Sequence, residues 1–176
     1  MIEVILVDEN DIPQGTMEKL AAHQQARLHR AISVYIFNTQ GELLLQRRAL
    51  NKYHAAGLWG NTCCSHPYPG EESHKAASRR LQEEMGMSCP LQKILTLRYC
   101  VDVGGGLSEH ELTHIFIGFS NANPIPNVEE VDAFIHMPLD GLLSSIKTEP
   151  GYYAPWFKLC LPDVLAALSK NKPGFI

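Results

Sequence analysis

The chain has 176 residues, 45% apolar and 19% charged, and its fifteen Lys and Arg against nineteen Asp and Glu give a net charge of −4. That balance excludes a disordered, collagen-like or coiled-coil chain, and the length fits one domain over 1–176 whose core needs no disulfide or metal staple. Nothing in the charge marks a nucleic-acid scaffold, no apolar run is long enough to span a bilayer, and Met1–Asn10 lacks the basic-then-apolar order of a secretion signal.

In chain order, Ile2–Val7 reads as a short apolar strand and Ile12-Pro13-Gln14-Gly15 as a turn. Glu18–Leu28 is weakly helical or irregular. Ile32–Phe37 is β-branched and aromatic, and Asn38-Thr39-Gln40-Gly41 turns it into Glu42–Arg47, so the pair reads as a hairpin. Leu58–Cys63 is short and extended. Glu71–Met85 contains neither Pro nor Gly and forms one helix stopped by Gly86. Leu91–Val103 and Leu112–Phe119 are strands around Gly104-Gly105-Gly106, and Val131–His136 is another. Leu139–Ile146 and Tyr153–Leu168 are helical, the second with Pro155 in its first turn. Mostly strands, one central helix and two late ones predict an α/β sandwich, a mixed sheet between helices.

The five cysteines, Cys63, Cys64, Cys89, Cys100 and Cys160, are odd in number and two are adjacent. Reduced thiols in a cytoplasmic protein follow from that and from the absence of a secretion signal. Eight histidines against two tryptophans hint at metal or acid–base chemistry.

Five groups of residues carry that chemistry. The central helix ends Arg79-Arg80-Leu81-Gln82-Glu83-Glu84-Met85-Gly86-Met87, with i, i+4 pairs Arg79/Glu83 and Arg80/Glu84 that a solvated helix face would explain. The run also resembles the second half of a Nudix box, R-E-apolar-x-E-E-x-G-apolar, with the upstream glutamate at Glu71. Ser65 stands at the box's opening glycine and Arg80 at the first glutamate of its R-E pair, which weakens the carboxylate cluster needed for pyrophosphate hydrolysis. Cys64 and His66 are two apart and share a face on extended backbone. A nearby cation would favour the Cys64 thiolate, and a buried inert cysteine is the plainer alternative. Glu109 and Glu111 also face one way on a strand, where parallel carboxylates repel unless a cation lies between them or water solvates them. His23 and His29 are six apart and need an irregular turn to meet. Together these imidazoles and carboxylates make a mixed N/O set suited to zinc, manganese or iron. Lys19, Arg47, Arg48, Lys52 and Arg80 offer forks and point charges for a diphosphate, whose charge magnesium would share through Glu84.

Read together, these segments resemble the type I isopentenyl diphosphate isomerases, a Nudix-fold family. The resemblance runs from the N-terminus to about Trp156. It rests on Glu18-Lys19-Leu20-Ala21-Ala22-His23, Arg27-Leu28-His29, Arg47-Arg48-Ala49-Leu50, Cys64-Ser65-His66-Pro67, the altered Nudix helix, Arg98-Tyr99, Glu109-His110-Glu111 and Pro155-Trp156. It implies a single Nudix-like domain and the metal-dependent isomerisation of isopentenyl diphosphate to dimethylallyl diphosphate in isoprenoid biosynthesis. It implies that His23, His29, His66, Glu109 and Glu111 ligate one Zn2+ or Mn2+. Glu84 would hold the Mg2+ of the substrate diphosphate, and Lys19, Arg48, Lys52 and Arg80 would clamp that diphosphate. Cys64 and Glu111 would form the acid–base pair, with Tyr99 bonded to the glutamate and Trp156 facing the reacting carbons. The expected partner is a small diphosphate, with no nucleic acid or membrane, and the expected state is a monomer or weak homodimer.

This chain departs from the family pattern in three places. His23 and His29 are one residue closer than in bacterial members, Ser65 replaces a glycine, and Cys63 adjoins Cys64. His110 is expected to point away without a role. The alternatives are a Nudix hydrolase of a nucleoside diphosphate derivative, a zinc-binding or thiol-sensing module without turnover, and a redox protein using Cys63-Cys64.

Overall fold

Strand β3 (His29–Phe37) is buried along nearly all of its length, and the other elements are laid out around it. The computed structural model describes residues 2–171; the single-domain expectation over 1–176 also takes in Met1 and 172–176, which lie outside the described residues. The remaining strands are β1 (Glu3–Val7), β2 (Pro13–Glu18), β4 (Leu43–Arg48), β5 (Trp59–Gly60), β6 (Cys63–Ser65), β7 (Leu91–Gly104), β8 (Leu107–Phe119) and β9 (Val131–Met137). The helices are α1 (Lys19–Gln24), α2 (Ser73–Met85), α3 (Leu139–Thr148) and α4 (Pro155–Asn171), with a 3-10 turn at Pro150–Tyr152.

One edge of β3 pairs in parallel with β8 from His29↔Glu111 to Phe37↔Phe119. The other edge is shared in turn by β1 at His29, β6 at residues 32–34 and β4 at Phe37. Side chains alternate between faces along a strand. On β3, Ile32, Val34 and Ile36 point to the layer where Ala76, Ala77, Leu81 and Met85 of α2 pack. Tyr35 and Phe37 point to the opposite layer, against Phe157, Leu161, Val164 and Leu168 of α4. The mixed sheet is therefore sandwiched between helices, as the sequence predicts, and burial on both faces explains the unbroken apolar run of β3.

The expected hairpin closes only at its turn. Asn38 accepts the backbone N–H groups of Gln40 and Glu42 at 3.0 and 2.9 Å. After Phe37↔Leu43 the strands part, and β4 pairs with β9 from Leu43↔Met137 to Arg48↔Val131. Local turn chemistry predicted the reversal, but burial on both sides of β3 and β4 chose longer-range partners.

Other boundaries differ as well. The first turn lies at Asp8–Asp11, where Asp8 accepts from the N–H groups of Asn10 and Ile12, and Pro13–Glu18 continues as the exposed edge strand β2. An edge position tolerates Pro13, which has no N–H to give. Strand β8 begins at Leu107 rather than Leu112, so Glu109 and Glu111 lie inside it opposite Val101 and Tyr99. Helix α2 starts at Ser73, and Gly86 ends it at φ 62°, where its N–H donates to the Gln82 carbonyl. A methyl at Gly86 would overlap the Ile125 backbone oxygen, so glycine is required there by space as well as by φ.

Candidate active site

The site lies at the N-terminal half of β3, where neighbouring strands deliver side chains to one face. Register places His29 of β3 beside Glu111 of β8, and Ser33 of β3 beside Cys64 of β6. Cys64 and Glu111 thus come from strands on opposite sides of β3, whose backbones are roughly 10 Å apart at ordinary strand spacing.

Short helix α1 brings in His23. It is capped by the Glu18 carboxylate, which accepts the Ala21 N–H at 2.8 Å. Ala26, at φ 48°, then turns the chain back into β3. That reversal lets histidines six residues apart meet, with ring centroids 4.9 Å apart. His23 Nδ1 donates to the Lys19 carbonyl and His29 Nδ1 to the Arg27 carbonyl, both at 2.7 Å. Each carbonyl fixes the tautomer, so each Nε2 presents a lone pair inward.

His23, His29, His66 and Glu111 offer ligand atoms that all lie within 4.8 Å of one another. His66 Nε2 is 3.2 Å from His29 Nε2 and 3.0 Å from Glu111 Oε1, while the buried His23 Nε2 has no hydrogen-bond partner among the described residues. Burial holds His66 down to about 3 and also lowers His23, so both rings are neutral near pH 7. Neutral imidazoles and a carboxylate whose lone pairs converge repel until a cation enters. The donor set therefore fits a divalent metal of the zinc or manganese kind.

Glu109 sits beside this group rather than among the four: its Oε1 lies 2.9 Å from His54 Nε2. Burial and the Glu111 charge raise the Glu109 carboxyl well above the usual range. Tyr99 donates its hydroxyl to Glu111 Oε2 at 2.5 Å. His110 points to the other face and meets the Ala26 carbonyl, as expected of a residue outside the site.

Cys64 is tied by Asn61 Oδ1 at 3.0 Å and Ser33 Oγ at 3.2 Å. Burial pushes its thiol up to about 12, against the pull of those two bonds, so it carries its proton. Cys63 alternates to the other face and packs against α2, which removes it as a rival nucleophile. Trp156, the second residue of α4, closes the cluster: an inner cavity of about 30 Å³ is lined by Cys64, Glu111, Tyr99, Trp156 and His54 among others.

The inner cavity shares Lys19, Arg48, Cys64 and His66 with an outer one of about 670 Å³, which Lys52 and Arg80 also line. Burial and the nearby Arg48 charge lower the Lys19 ammonium. Arg80 Nη2 lies 2.6 Å from Glu84 Oε1 and 3.5 Å from Glu130 Oε2, and Lys52 Nζ is 2.7 Å from Glu130. Glu84 is buried under Arg80, and Gln46 Nε2 donates to its second oxygen at 2.9 Å. Arg47 is turned away onto Asp132 of β9.

The structure thus gathers Lys19, Arg48, Lys52 and Arg80 at one cavity and Cys64, Tyr99, Glu111 and Trp156 at the other. Sequence reasoning passed over His54, Ser33, Asn61, Gln46 and Glu130. His54 had one signal, its place two residues after Lys52. Ser33, Gln46 and Glu130 carry no local pattern, because their partners lie on other elements, whereas Asn61 meets Cys64 only three positions on.

The chain matches the NUDIX domain over residues 27–159. It is 47% identical over 175 residues, 98% of each chain, to the Isopentenyl-diphosphate Delta-isomerase of Pectobacterium atrosepticum. It is 55% identical to the Streptomyces griseus protein of that name, covering 93% of this chain and 83% of the relative. Among solved structures, a Deinococcus radiodurans protein aligns at TM-score 0.71 with 19% identity over 84% of this chain and 90% of its own. The MutT protein of Methanosarcina mazei aligns at 0.62 with 20% identity over 82% and 96%. Those structural matches concern the fold; the sequence relatives carry the family, and with the site in view the chain belongs to the isopentenyl-diphosphate Delta-isomerases of the NUDIX fold.

Proposed function

We propose that this chain converts isopentenyl diphosphate to dimethylallyl diphosphate, in the cytoplasm, as a monomer or weak homodimer that needs neither nucleic acid nor membrane. The carrying observation is a thiol and a carboxylate, Cys64 and Glu111, lining one 30 Å³ cavity that shares its cationic wall with an outer cavity large enough for a diphosphate. No described helix is long and apolar enough to cross a membrane.

Lys19, Arg48, Lys52 and Arg80 bind the diphosphate, so the five-carbon alkenyl group is directed toward the inner cavity, which opens further to admit it. Moving the double bond requires one proton added at the terminal carbon and another removed from the carbon next to the diphosphate-bearing one. Protonation places positive charge on the tertiary carbon, and deprotonation forms the new double bond. Cys64 and Glu111, carried by strands on opposite sides of β3, serve as the two proton-handling groups. Asn61 and Ser33 aim the thiol, and Tyr99 orients the carboxylate. The Trp156 ring stabilises the cation by roughly 2 kcal/mol in a dry site, and its helix helps exclude the water that would trap it as an alcohol. A Zn2+ or Mn2+ at His23, His29, His66, Glu109 and Glu111 would tune the basicity of Glu111, and Mg2+ at Glu84 would share the diphosphate charge.

Incubation with isopentenyl diphosphate and magnesium in deuterated water, followed by proton NMR, tests the reading. Dimethylallyl diphosphate with deuterium in its methyl groups is the expected result. Intact, unexchanged substrate with metal-replete protein overturns it, and released phosphate would point to a hydrolase instead.

A further inference from the structure

We propose that His54 is a positioning residue of this site, holding Glu109 and the Trp156 ring in place around the reacting carbons; this rests on the isomerase reading above. Four observations carry it. His54 is only 7% exposed although it lies in the loop after β4. Its Nε2 is 2.9 Å from Glu109 Oε1 on β8. Its ring meets Trp156 of α4 edge-on, with centroids 5.8 Å apart, and lies 5.9 Å from His23. Its Nδ1 is buried and without a partner among the described residues.

With a metal on its other oxygen Glu109 would be an ionised carboxylate that can only accept from the imidazole, so Nε2 carries the hydrogen and Nδ1 is left as a bare lone pair. Packing alone does not account for this side chain. A leucine would fill the space and bury no orphaned nitrogen. What histidine adds is the N–H to Glu109. That bond fixes one carboxylate oxygen and leaves the other for the metal group, two residues from Glu111 on the same face of β8.

The same residue links the two cavities. Arg48 Nε donates to the His54 carbonyl at 3.4 Å, and the Arg48 guanidinium lies 5.4 Å from the Trp156 ring centroid. An arginine of the diphosphate clamp thus leans on the His54 backbone, which any substitution keeps, and the aromatic ring at the alkene leans on its side chain. Truncating it frees the Glu109 carboxylate and one edge of the tryptophan, while the clamp, Arg48 included, stays in place. It acts through Glu109 and Trp156 and handles no substrate proton.

His54→Leu and His54→Gln in the full chain test this. The leucine keeps bulk and loses the donor; the glutamine amide restores a donor toward Glu109. We expect His54→Leu to lower kcat about 100-fold, leave KM within about threefold, and weaken Mn2+ affinity about tenfold, measured by competition with a chelating dye. Inorganic pyrophosphate with magnesium should bind as tightly as before, and His54→Gln should regain at least tenfold in kcat. His54→Leu with kcat within threefold of wild type, or with unchanged Mn2+ affinity, overturns the proposal, as does a glutamine variant no better than leucine in both kcat and Mn2+ affinity. If the wild type shows no isomerase turnover, the functional reading fails by itself, because the Mn2+ measurement still reports whether His54 holds Glu109. Should the leucine variant not fold, His54→Gln and His54→Asn give the same comparison.

Discussion

Cys64 and Glu111 differ in how their surroundings prepare them. The thiol is buried among neutral acceptors and keeps its proton; the carboxylate accepts the Tyr99 hydroxyl and lies among three imidazoles whose lone pairs converge with its own. Both side chains can be trimmed without opening a large void. Cys64→Ala and Glu111→Gln are therefore expected to lower turnover by at least about 1,000-fold, within the usual range for losing a proton-transfer group. Circular dichroism and pyrophosphate binding should stay close to wild type. Residual activity above about one tenth in either variant would remove that residue from the acid–base pair. The two-residue spacings Cys64-x-His66 and Glu109-x-Glu111 made the shared faces legible, because a strand turns such residues the same way, while the acid–base roles came only from the family resemblance. The partners of Glu109 were not legible: His54 reaches it across 55 positions.

Helix α2 shows how an element can be predicted well and still conceal its use. Its length and its stop at Gly86 follow from composition and from the left-handed conformation that glycine accepts. The Nudix-like spacing of Glu71 has a plain structural use here. Arg79 donates Nε to Glu71 Oε1 at 2.8 Å and Nη2 to Oε2 at 2.7 Å, pinning the loop before the helix to its middle. The bonds from Arg79 lower the Glu71 carboxyl below its ordinary value. A lowered native pKa means stability that is present above the unfolded value and is lost as pH falls through the native one. Glu71→Gln should thus cost about 1 kcal/mol near pH 7, as expected for a partly exposed charge-assisted pair. The difference from wild type should shrink as pH drops below the ordinary glutamate range. Urea melts at pH 7 and pH 3 check this; an equal deficit at both would mean the charge is not the cause.

For the whole molecule, the three histidines and Glu111 that could hold a metal lie where α1, β3, β6 and β8 converge. A cation there cross-links segments far apart in sequence and relieves the repulsion among converging lone pairs. A ligand bound only by the folded state at 100 times its Kd stabilises by about 2.7 kcal/mol. For a domain of this size that is roughly 5–10 °C in melting temperature. Removing metal with a chelator should lower the melting temperature by that amount and abolish turnover, and Zn2+ or Mn2+ should restore both. A melting temperature indifferent to chelation would refute the metal site even if activity were lost through the magnesium of the diphosphate. The same convergence explains why the expected hairpin of β3 and β4 parts after Leu43: β3 must accept β6 and β8 on its two edges to assemble the site.

The sequence by itself determined the fold class, the extent of most elements and the identity of most chemical groups. Those depend on local periodicity, on glycine and proline punctuation and on short spacings such as Cys64-x-His66. The family resemblance added roles that no single spacing could assign. Only the tertiary structure decided which strands pair, that Glu109 turns to His54 while Glu111 joins three imidazoles, and that Gln46 and Glu130 hold Glu84, Arg80 and Lys52. These are contacts between segments distant along the chain. They are set by burial on both faces of β3 and by the electrostatics of groups that meet only after the sheet has formed.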